Sequence, residues 1–315
     1  MKKTAKQSAG VHPRQAIFAP SIHKGDTIGL VAPAGSIIHK DNFTEGLRIL
    51  EKNGFRVKYN RDLLNARGYL AGSDEERAVE FNELWSEPEI KALVAARGGY
   101  GCMRMIDLID MTIIRQNPKI LIGFSDLTVL LAAIYKKTGL VTYHGPVVTT
   151  LASINKQSQT SFFNVLQGKA PVLIKSSRIK ILKKGTAKGI LLGGNLTTLS
   201  HMIGTPYEFA WDNAILFMED IGETPYRLDR FLTHLDRANR LQKIQGLILG
   251  SFTDDNRKKN RAMQRTVYKR VAELLQKTDI PVWANFPVGH AKQNLTLPLG
   301  AEVEMDSSEH MLKFL

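Results

Sequence analysis

The side chain in this sequence best placed to do covalent chemistry is Ser125. It follows a short apolar run, residues 120–122, that stops at Gly123, and the apolar residues after it recur at helical spacing: Leu127, Leu130, Leu131 and Ile134. This pattern predicts a buried strand, a tight turn and a helix. A serine on such a turn holds its hydroxyl near the positive end of the helix, so Ser125 is a candidate nucleophile.

A second interpretation of Ser125 is structural. Serines at helix starts commonly cap the helix, and here the hydroxyl would accept a hydrogen bond from the backbone amide of Thr128. Leu127 also stands where the usual G-x-S-x-G nucleophile turn has its second glycine. This segment alone favours the cap, so the choice depends on whether the rest of the chain supplies partners for a nucleophile.

A nucleophilic serine needs a general base. Of the eight histidines, His290 is the best candidate, because Gly289 precedes it and the polar residues 291–294 follow it. His144, which precedes Gly145, is the second candidate. The histidines form no H-E-x-x-H motif and no pair shares one helix face at spacing three or four, so they predict no metal site.

The base in turn needs a group that orients it. Glu219 directly follows the apolar strand pattern at 214–218, which is an expensive place for a carboxylate unless it is paired. Glu223 lies in a glycine-containing turn, where the chain can adjust and water can reach. Because an orienting carboxylate must be held rigidly, Glu219 is favoured. The alternative is that Glu219 and Asp220 only cap the following helix, while Glu223 or Asp229 makes the same contacts.

A glycine-rich segment, Arg97-Gly-Gly-Tyr-Gly101, follows another predicted strand. It is a weak dinucleotide-binding signal, since it is not G-x-G-x-x-G and the chain contains no P-loop lysine. Glycines after a strand can instead bring backbone N–H groups close to a ligand oxyanion. The motif chemistry therefore favours acyl transfer without a cofactor.

The elements that must position these residues alternate between strand and helix in the first half. The patterns predict strands at 27–31, 55–59, 92–95, 120–122 and 141–143, and helices at 42–53, 73–85 and 103–110, the second opened by a capping box. Such alternation implies a parallel sheet with helices on both faces, whose ligands bind beyond the carboxyl ends of the strands. The loops at 33–36, 97–101 and Ser125 are therefore expected to converge on one crevice.

At 315 residues the chain is long enough for two domains. The segment 151–185, a polar helix followed by a basic strand-like run, is predicted to be a linker. It separates an N-terminal domain at 23–150, which carries Ser125, from a C-terminal domain at 186–315. That second domain is mixed, with predicted strands at 214–218, 246–250, 282–283, 301–305 and 311–314 and helices at 226–235 and 262–276.

Composition places the chain among ordinary soluble globular proteins, with 43% hydrophobic and 23% charged residues. No apolar run approaches the ~20 residues of a membrane span. Residues 1–22 are basic but lack the apolar stretch of ~7–15 residues of a signal peptide, and they predict a flexible leader on a cytoplasmic protein. The single cysteine, Cys102, excludes an intramolecular disulfide and any multi-cysteine metal site.

The net charge of +13 raises the question of nucleic-acid binding. Three runs without an acidic residue, 1–20, 171–190 and 256–270, account for the whole excess. The run at 171–190 contains no aromatic residue, and the run at 256–270 contains only Tyr268. These runs therefore offer no platform for stacking bases. These runs are predicted to be solvated surfaces, and no nucleic-acid partner is expected.

Taken as a set, the motifs resemble those of the LD-carboxypeptidases, a family that includes the murein tetrapeptide carboxypeptidases and the microcin C immunity peptidases. The matching segments lie in the family's order between residues 24 and 305: Arg97-Gly-Gly-Tyr-Gly101, Gly123-Phe-Ser-Asp126, Gly193-Gly-Asn195, Ile203-Gly-Thr-Pro206, Phe217-Met-Glu-Asp220, Gly250-Ser-Phe252, Gly289-His290 and Leu297-Pro-Leu-Gly300. No single motif is specific, but the set is.

The resemblance implies an α/β fold, with an N-terminal doubly wound parallel sheet domain and a C-terminal mixed α/β domain with a barrel-like sheet, usually in a homodimer. It also implies catalytic roles for three residues. Ser125 is the expected nucleophile, His290 the general base and Glu219 the residue that orients the base. The activity implied is that of a serine peptidase that works through an acyl-enzyme.

The same resemblance implies the parts that bind substrate. The backbone amide of Asp126, with that of Gly98 or Gly99, is expected to stabilise the oxyanion. Arg97 and Asn195 are expected to bind substrate, and Arg97 is a candidate for holding its terminal carboxylate. The implied substrate is a cytoplasmic muropeptide that loses a terminal D-alanine. The alternatives are a peptidyl-nucleotide toxin as the substrate, or a non-catalytic binder of peptides or anions.

Overall fold

The computed structural model describes residues 16–64, 66–169, 172–254 and 261–315. Most of the predicted basic leader therefore lies outside the described residues, as do Lys258 and Lys259 of the third basic run. Where the basic residues are described, several are paired: Lys175 lies 3.0 Å from Glu309, and Arg270 lies 3.0 Å from Asp229. No helix in the described part of the chain is both long enough and apolar enough to cross a membrane.

The described residues form fourteen strands and nine α-helices. The strands are β1 (Thr27–Val31), β2 (Arg56–Lys58), β3 (Ile90–Ala95), β4 (Ile120–Gly123), β5 (Thr142–His144), β6 (Leu173–Lys175), β7 (Lys180–Lys183), β8 (Thr186–Asn195), β9 (Ala214–Ile221), β10 (Gly246–Thr253), β11 (Val282–Ala284), β12 (Leu297–Leu299), β13 (Glu302–Asp306) and β14 (Met311–Phe314). The helices are α1 (Lys40–Lys52), α2 (Asp74–Ser86), α3 (Cys102–Met105), α4 (Met111–Gln116), α5 (Thr128–Thr138), α6 (Lys156–Leu166), α7 (Leu196–Met202), α8 (Pro225–Arg237) and α9 (Arg261–Leu274).

The first sheet has six strands in the order β12-β5-β4-β3-β1-β2. Strands β1 to β5 pair in parallel, and β12 adds to the edge in antiparallel orientation. Ile28 and Leu30 of β1 face one buried cluster, while Val31 faces a second that continues into the C-terminal half. Both faces of the sheet are thus covered, which explains why its strands read as continuous apolar runs. This confirms the predicted doubly wound α/β fold of the N-terminal half.

The second sheet has eight strands in the order β6-β14-β13-β8-β9-β10-β11-β7 and is mixed. Its two outer strands, β6 and β7, are consecutive in the chain, and the connection between them runs from Lys175 to Lys180. That connection spans at most about 18 Å when fully extended, whereas seven strand spacings in a flat sheet amount to about 33 Å. The sheet must therefore curve strongly. The barrel-like form itself stays a prediction.

Local signals explain several helix boundaries. Ser73 and Glu76 form the predicted capping box at the start of α2, with both reciprocal hydrogen bonds present. The helix predicted at 103–110 instead consists of the short α3 and a 3₁₀ turn at Ile106–Leu108, and a separate helix, α4, begins after it. The reason is Asp110, whose side chain accepts the backbone amides of Thr112 and Ile113 and so caps α4 as a new helix.

The segment 151–185 differs from the predicted linker. Helix α6 packs Phe162, Val165 and Leu166 into a core cluster of the first sheet. Strands β6 and β7 then form the two outer strands of the second sheet. Conversely β12, within the predicted C-terminal domain, pairs with β5 of the first sheet. The chain thus crosses between the two sheets more often than one linker would require.

Candidate active site

Ser125 lies directly after β4, at the first position of a 3₁₀ turn, Ser125–Leu127, that leads into α5. Its φ is 67°, in the left-handed region that a serine rarely adopts. The N-cap interpretation is wrong: Phe124 holds the cap position of the turn, Leu127 that of α5, and neither cap has a side-chain hydrogen bond. Strain of this kind at a strand-to-helix turn is typical of functional residues.

Gly98 explains how the glycine-rich loop reaches Ser125. A Cβ atom on residue 98 would lie 2.9 Å from Ser125 Cβ and 3.2 Å from its Oγ. Only a glycine can therefore bring this backbone so close to the serine. The loop after β1 also meets this loop, because the Gly35 amide donates to the Gly98 carbonyl at 3.0 Å. The predicted convergence of the three loops is confirmed.

His290 is held by Glu219 on the other side of the site. The Nδ1 atom of His290 lies 2.6 Å from Oε2 of Glu219, which is fully buried at the end of β9. Gly289 has a φ of 109°, and a Cβ there would lie 2.7 Å from the same carboxylate oxygen, so the loop can press against Glu219 only with glycine at 289. Burial alone would raise the pKa of Glu219, but the charge and hydrogen bond of His290 outweigh it and place that pKa below its ordinary value.

Glu223, the alternative partner for the base, lies elsewhere. One of its carboxylate oxygens is 3.3 Å from Arg227 and the other accepts from the Thr197 hydroxyl at 3.5 Å. The geometry thus separates the two carboxylates, since Glu219 contacts the histidine and Glu223 does not contact it in the described structure.

Two cavities of about 500 Å³ each adjoin Ser125, and Gly99 and Ile221 also line both. The first cavity contains the side chains of His290 and Arg97 and the backbone of Gly98, with further lining from Ile38, His39, Asn42, Phe124, Val147, Thr149 and Thr150. The second is lined by Tyr100, Met103, Asp126, Val129, Asn195, Thr197, Thr198, His201, Asp220 and Glu223. A guanidinium and two imidazoles thus line the cavity on one side of the serine, and three carboxyl groups line the cavity on the other.

The remaining predicted site residues have structural partners. A guanidinium nitrogen of Arg97 donates to the Ser36 carbonyl. The Asp126 carboxylate accepts the Cys102 amide at 2.8 Å, and burial raises the pKa of Asp126. The side chain of Asn195 caps α7 and donates to Asp220 at 3.1 Å. Asn195 and Asp126 line the second cavity, apart from His290.

His144, the second candidate base, lines neither cavity. It is completely buried at the end of β5, where burial lowers its pKa to about 4. His39, Thr149 and Thr150 of the first cavity were missed by sequence reasoning. Their only signal is position, because each follows a strand of the first sheet at its carboxyl end. Among the described residues, no group of three or more His, Cys, Asp or Glu side chains is arranged to hold a metal ion.

Comparison with known proteins gives a consistent result. Residues 28–145 match the model of the LD-carboxypeptidase N-terminal domain, and residues 188–305 match that of the LD-carboxypeptidase C-terminal domain. The chain is 34% identical over 296 residues to a probable murein peptide carboxypeptidase of Bacillus subtilis, covering 92% of this chain and 91% of the relative.

Two further matches are to a microcin self-immunity protein. The chain is 31% identical to the microcin C7 self-immunity protein MccF of Escherichia coli, with 94% of each chain covered. A solved structure of MccF in complex with glutamyl sulfamoyl guanosine superposes with a TM-score of 0.85 at 27% identity, covering 94% of this chain and 97% of that one. Both the fold and the order of the motifs are therefore shared over nearly the full length.

Proposed function

This chain belongs to the LD-carboxypeptidase family, and on that premise we propose that it is a serine-type carboxypeptidase that removes the terminal D-alanine from a muropeptide. The observation that supports this proposal most directly is the hydrogen bond between His290 and Glu219 beside a cavity shared with Ser125. Because Glu219 occupies Nδ1, the second ring nitrogen of His290 is the one available to a serine in that cavity. This is the division of roles that a Ser-His-Glu triad requires.

The first proposed step is acylation. His290 takes the hydroxyl proton of Ser125 as Oγ attacks the carbonyl carbon of the L,D-peptide bond. The backbone amide of Asp126, together with that of Gly98 or Gly99, stabilises the oxyanion that forms, and such a donor is worth roughly 3–4 kcal/mol. The protonated His290 then donates its proton to the leaving nitrogen, and the C–N bond breaks to release D-alanine.

The second step is hydrolysis of the acyl-enzyme. A water molecule gives a proton to His290 and its oxygen attacks the ester carbon. The ester bond to Ser125 breaks, and His290 returns the proton to the serine oxygen. Throughout both steps Glu219 keeps the imidazole in one orientation and stabilises its charged form.

The charges of the two cavities support one direction of substrate binding. The terminal carboxylate of the substrate would lie in the first cavity, where Arg97 provides a cationic group and the His39 imidazole can hydrogen-bond. The acyl part would then extend toward the second cavity, where Glu223 lies. Arg97 already donates to a backbone carbonyl, so its position is fixed before the substrate arrives.

A second candidate substrate is a peptidyl-nucleotide conjugate. It is favoured by the likeness to MccF, whose solved structure contains glutamyl sulfamoyl guanosine. The same acyl-transfer chemistry would cleave it, so the two candidates differ in what the cavities accept and not in the catalytic residues. We also expect a cytoplasmic homodimer, which analytical ultracentrifugation of the purified protein would test.

The deciding experiment measures D-alanine release from a muropeptide tetrapeptide by chiral chromatography. A tetrapeptide ending in L-alanine is the matched control, and a glutamyl sulfamoyl nucleoside is the competing substrate. We expect D-alanine from the first peptide only, with a higher kcat/KM than for the nucleoside. Preference for the nucleoside would move the assignment to the second candidate, and no cleavage of either compound would contradict a peptidase.

A further inference from the structure

A second imidazole lies behind the His290–Glu219 pair. His144 ends β5, where it pairs with Gly123 of β4 on one side and with Leu297 of β12 on the other. Gly123 is two residues before Ser125 along the chain. The backbone of His144 is thus fixed between two neighbouring strands of the sheet that carries Ser125, although its side chain reaches neither cavity.

Aromatic rings enclose the His144 side chain. Its ring stands edge-on to Phe217 at 4.9 Å and to Phe124 at 5.8 Å between ring centres. Phe124 in turn lies 4.5 Å from the ring of His290. Phe217 precedes Glu219 by two residues in β9, so its side chain and that of Glu219 point to the same side of the sheet. His144 therefore adjoins both members of the pair.

Several buried polar atoms in this region have no hydrogen-bond partner among the described residues. They include both ring nitrogens of His144, Oγ of Ser251 and Oγ1 of Thr296. Oε1 of Glu219 also has no partner at hydrogen-bond distance and angle, although the Asn195 side chain lies near enough to lower the pKa of that carboxylate. Such atoms are unusual because leaving one unpaired costs about 1–3 kcal/mol. The two unpaired nitrogens of His144, in a ring that packs against Phe217 two residues before Glu219, therefore require an explanation.

The glycines locate two of these hydroxyls: Ser251 Oγ lies near Glu219, and Thr296 Oγ1 lies near the residue that follows His144. A Cβ at residue 289 would be 2.5 Å from Ser251 Oγ and 2.7 Å from Glu219 Oε2. A Cβ at Gly145, the neighbour of His144, would be 2.8 Å from Thr296 Oγ1. A single internal water with two to four polar partners would satisfy this arrangement.

We propose that His144 is a positioning residue for the Glu219–His290 pair: its imidazole N–H hydrogen-bonds, through one internal water, to Oε1 of Glu219 and so holds Oε2 toward His290. The inference rests on the proposed function, because it assigns His144 a part in the same triad. It also explains why a polar ring stands where an apolar one would pack without leaving nitrogens unpaired.

A neutral donor suits this position better than a charged one. Lysine or arginine beside Glu219 would offset the negative charge that His290 needs when it becomes protonated. A neutral imidazole has one N–H donor and one acceptor nitrogen, so it can align the carboxylate without neutralising it. The charged or titratable groups around Glu219 are His290 and His144, with Asp220 next along β9.

The test compares three variants of the full chain. His144→Phe keeps an aromatic ring but removes the donor, and His144→Gln keeps an N–H donor. Thr253→Val is the matched control, because it removes another buried unpartnered hydroxyl, on β10, without altering a site residue. The measurements are kcat and KM on the tetrapeptide, and the downfield proton resonance of the His290 Nδ1–H···Glu219 hydrogen bond in the resting protein.

We expect His144→Phe to fold and to lose roughly 10- to 100-fold in kcat with KM unchanged, the size of effect that loss of an outer hydrogen-bond partner has at other sites. The downfield resonance should shift in this variant. His144→Gln should recover most of the rate and the original resonance, and Thr253→Val should match the wild type. If His144→Phe does not fold, His144→Leu is a second donor-free variant judged by the same criteria.

Two results would overturn the proposal. One is a donor-free variant with wild-type kcat and an unshifted resonance, which would make His144 a packing residue. The other is a His144→Gln variant that is as slow as His144→Phe. The resonance needs no turnover, so it tests the contact between His144 and Glu219 even if Ser125→Ala stays active and the proposed peptidase function fails.

Discussion

The two sides of the candidate site are fixed by different means. On the Ser125 side, the backbone fixes the geometry: Ser125 has a φ of 67° on a tight turn, and a Cβ at Gly98 would lie 2.9 Å from the Cβ of Ser125. On the His290 side, a side-chain contact fixes the geometry, because one hydrogen bond of 2.6 Å to a buried carboxylate orients His290.

This difference predicts which changes each side of the site should tolerate. A site held by close backbone contact is sensitive to added volume, because a new methyl group would clash with neighbouring atoms. A site held by one buried hydrogen bond is sensitive to a change of charge that alters the volume hardly at all. The following variants test that contrast.

The largest effect is expected at Ser125 itself. If Ser125 is the nucleophile, Ser125→Ala should remain folded and lose ~10⁴-fold or more in kcat. The unfolding free energy should change little, because alanine and serine meet the same strain at a positive φ and no capping bond is lost. The measurement is kcat on the tetrapeptide together with urea denaturation. An active variant would end the serine-peptidase assignment.

The next effect concerns charge without a change of volume. Glu219→Gln should fold but lose roughly 10³- to 10⁴-fold in kcat, because an amide no longer selects the imidazole tautomer or stabilises its charged form. Glu223→Gln is the matched control on the same segment and should stay within about tenfold of the wild type. Circular dichroism confirms folding, and kcat on one substrate ranks the two variants. The reverse ranking would assign the orienting role to Glu223.

Added volume is tested at Gly98. Gly98→Ala would place a methyl group 2.9 Å from Ser125 Cβ, which must then move. A displacement near 1 Å at a reacting group costs on the order of 10²-fold in rate, so kcat should fall by about that factor. Gly204→Ala adds the same methyl where nothing lies within 4 Å. Its φ of 80° makes alanine costly for stability, but the site is not touched, so kcat should stay at the wild-type value. Equal rates for all three proteins would show that the serine is not confined by its neighbour.

The smallest expected change is in stability, and it tests whether His144, near the His290 side of the site, is buried as a neutral imidazole. Burial lowers the pKa of His144 from 6.5 to about 4, so between these values the unfolded chain binds the proton and the folded chain does not. Unfolding free energy should therefore fall as the pH drops from 6.5 to 4, by about 3 kcal/mol for this one group. His144→Phe should remove that part of the pH dependence. Denaturation at pH 7 and pH 4 measures it, and identical slopes would contradict a buried neutral imidazole.

Features that depend on near neighbours in the chain were predictable. Strand β1 was predicted at 27–31 with its observed limits, and the Ser73–Glu76 capping box was identified from spacing alone. The rigid placement of Glu219 followed from its position after an apolar strand. Each of these depends on hydrophobic periodicity or on a hydrogen bond three residues away, which the local sequence encodes.

Features that depend on partners distant in the chain were not predictable. Strands β6, β7 and β12 have three or four residues each, too few to show a period. Pro298 within β12 even argues against a strand, although a proline is accepted there because β12 is at the edge of the sheet. The positive φ of Ser125 has no local signal either. Sequence reasoning could therefore name the serine and histidine as a pair but could not choose between the cap and the nucleophile from the segment itself.

The pairing of β12 with β5 has a consequence for the time course of folding. Tyr143 and Pro298 pair across almost half of the polypeptide, and contacts between such distant residues slow folding because the intervening chain must be ordered first. During synthesis, the sheet that bears Ser125 cannot be completed until residue 299 has left the ribosome. Ser125 and His290 belong to parts of the chain that come together only when this sheet closes, so the proposed triad cannot form through most of translation.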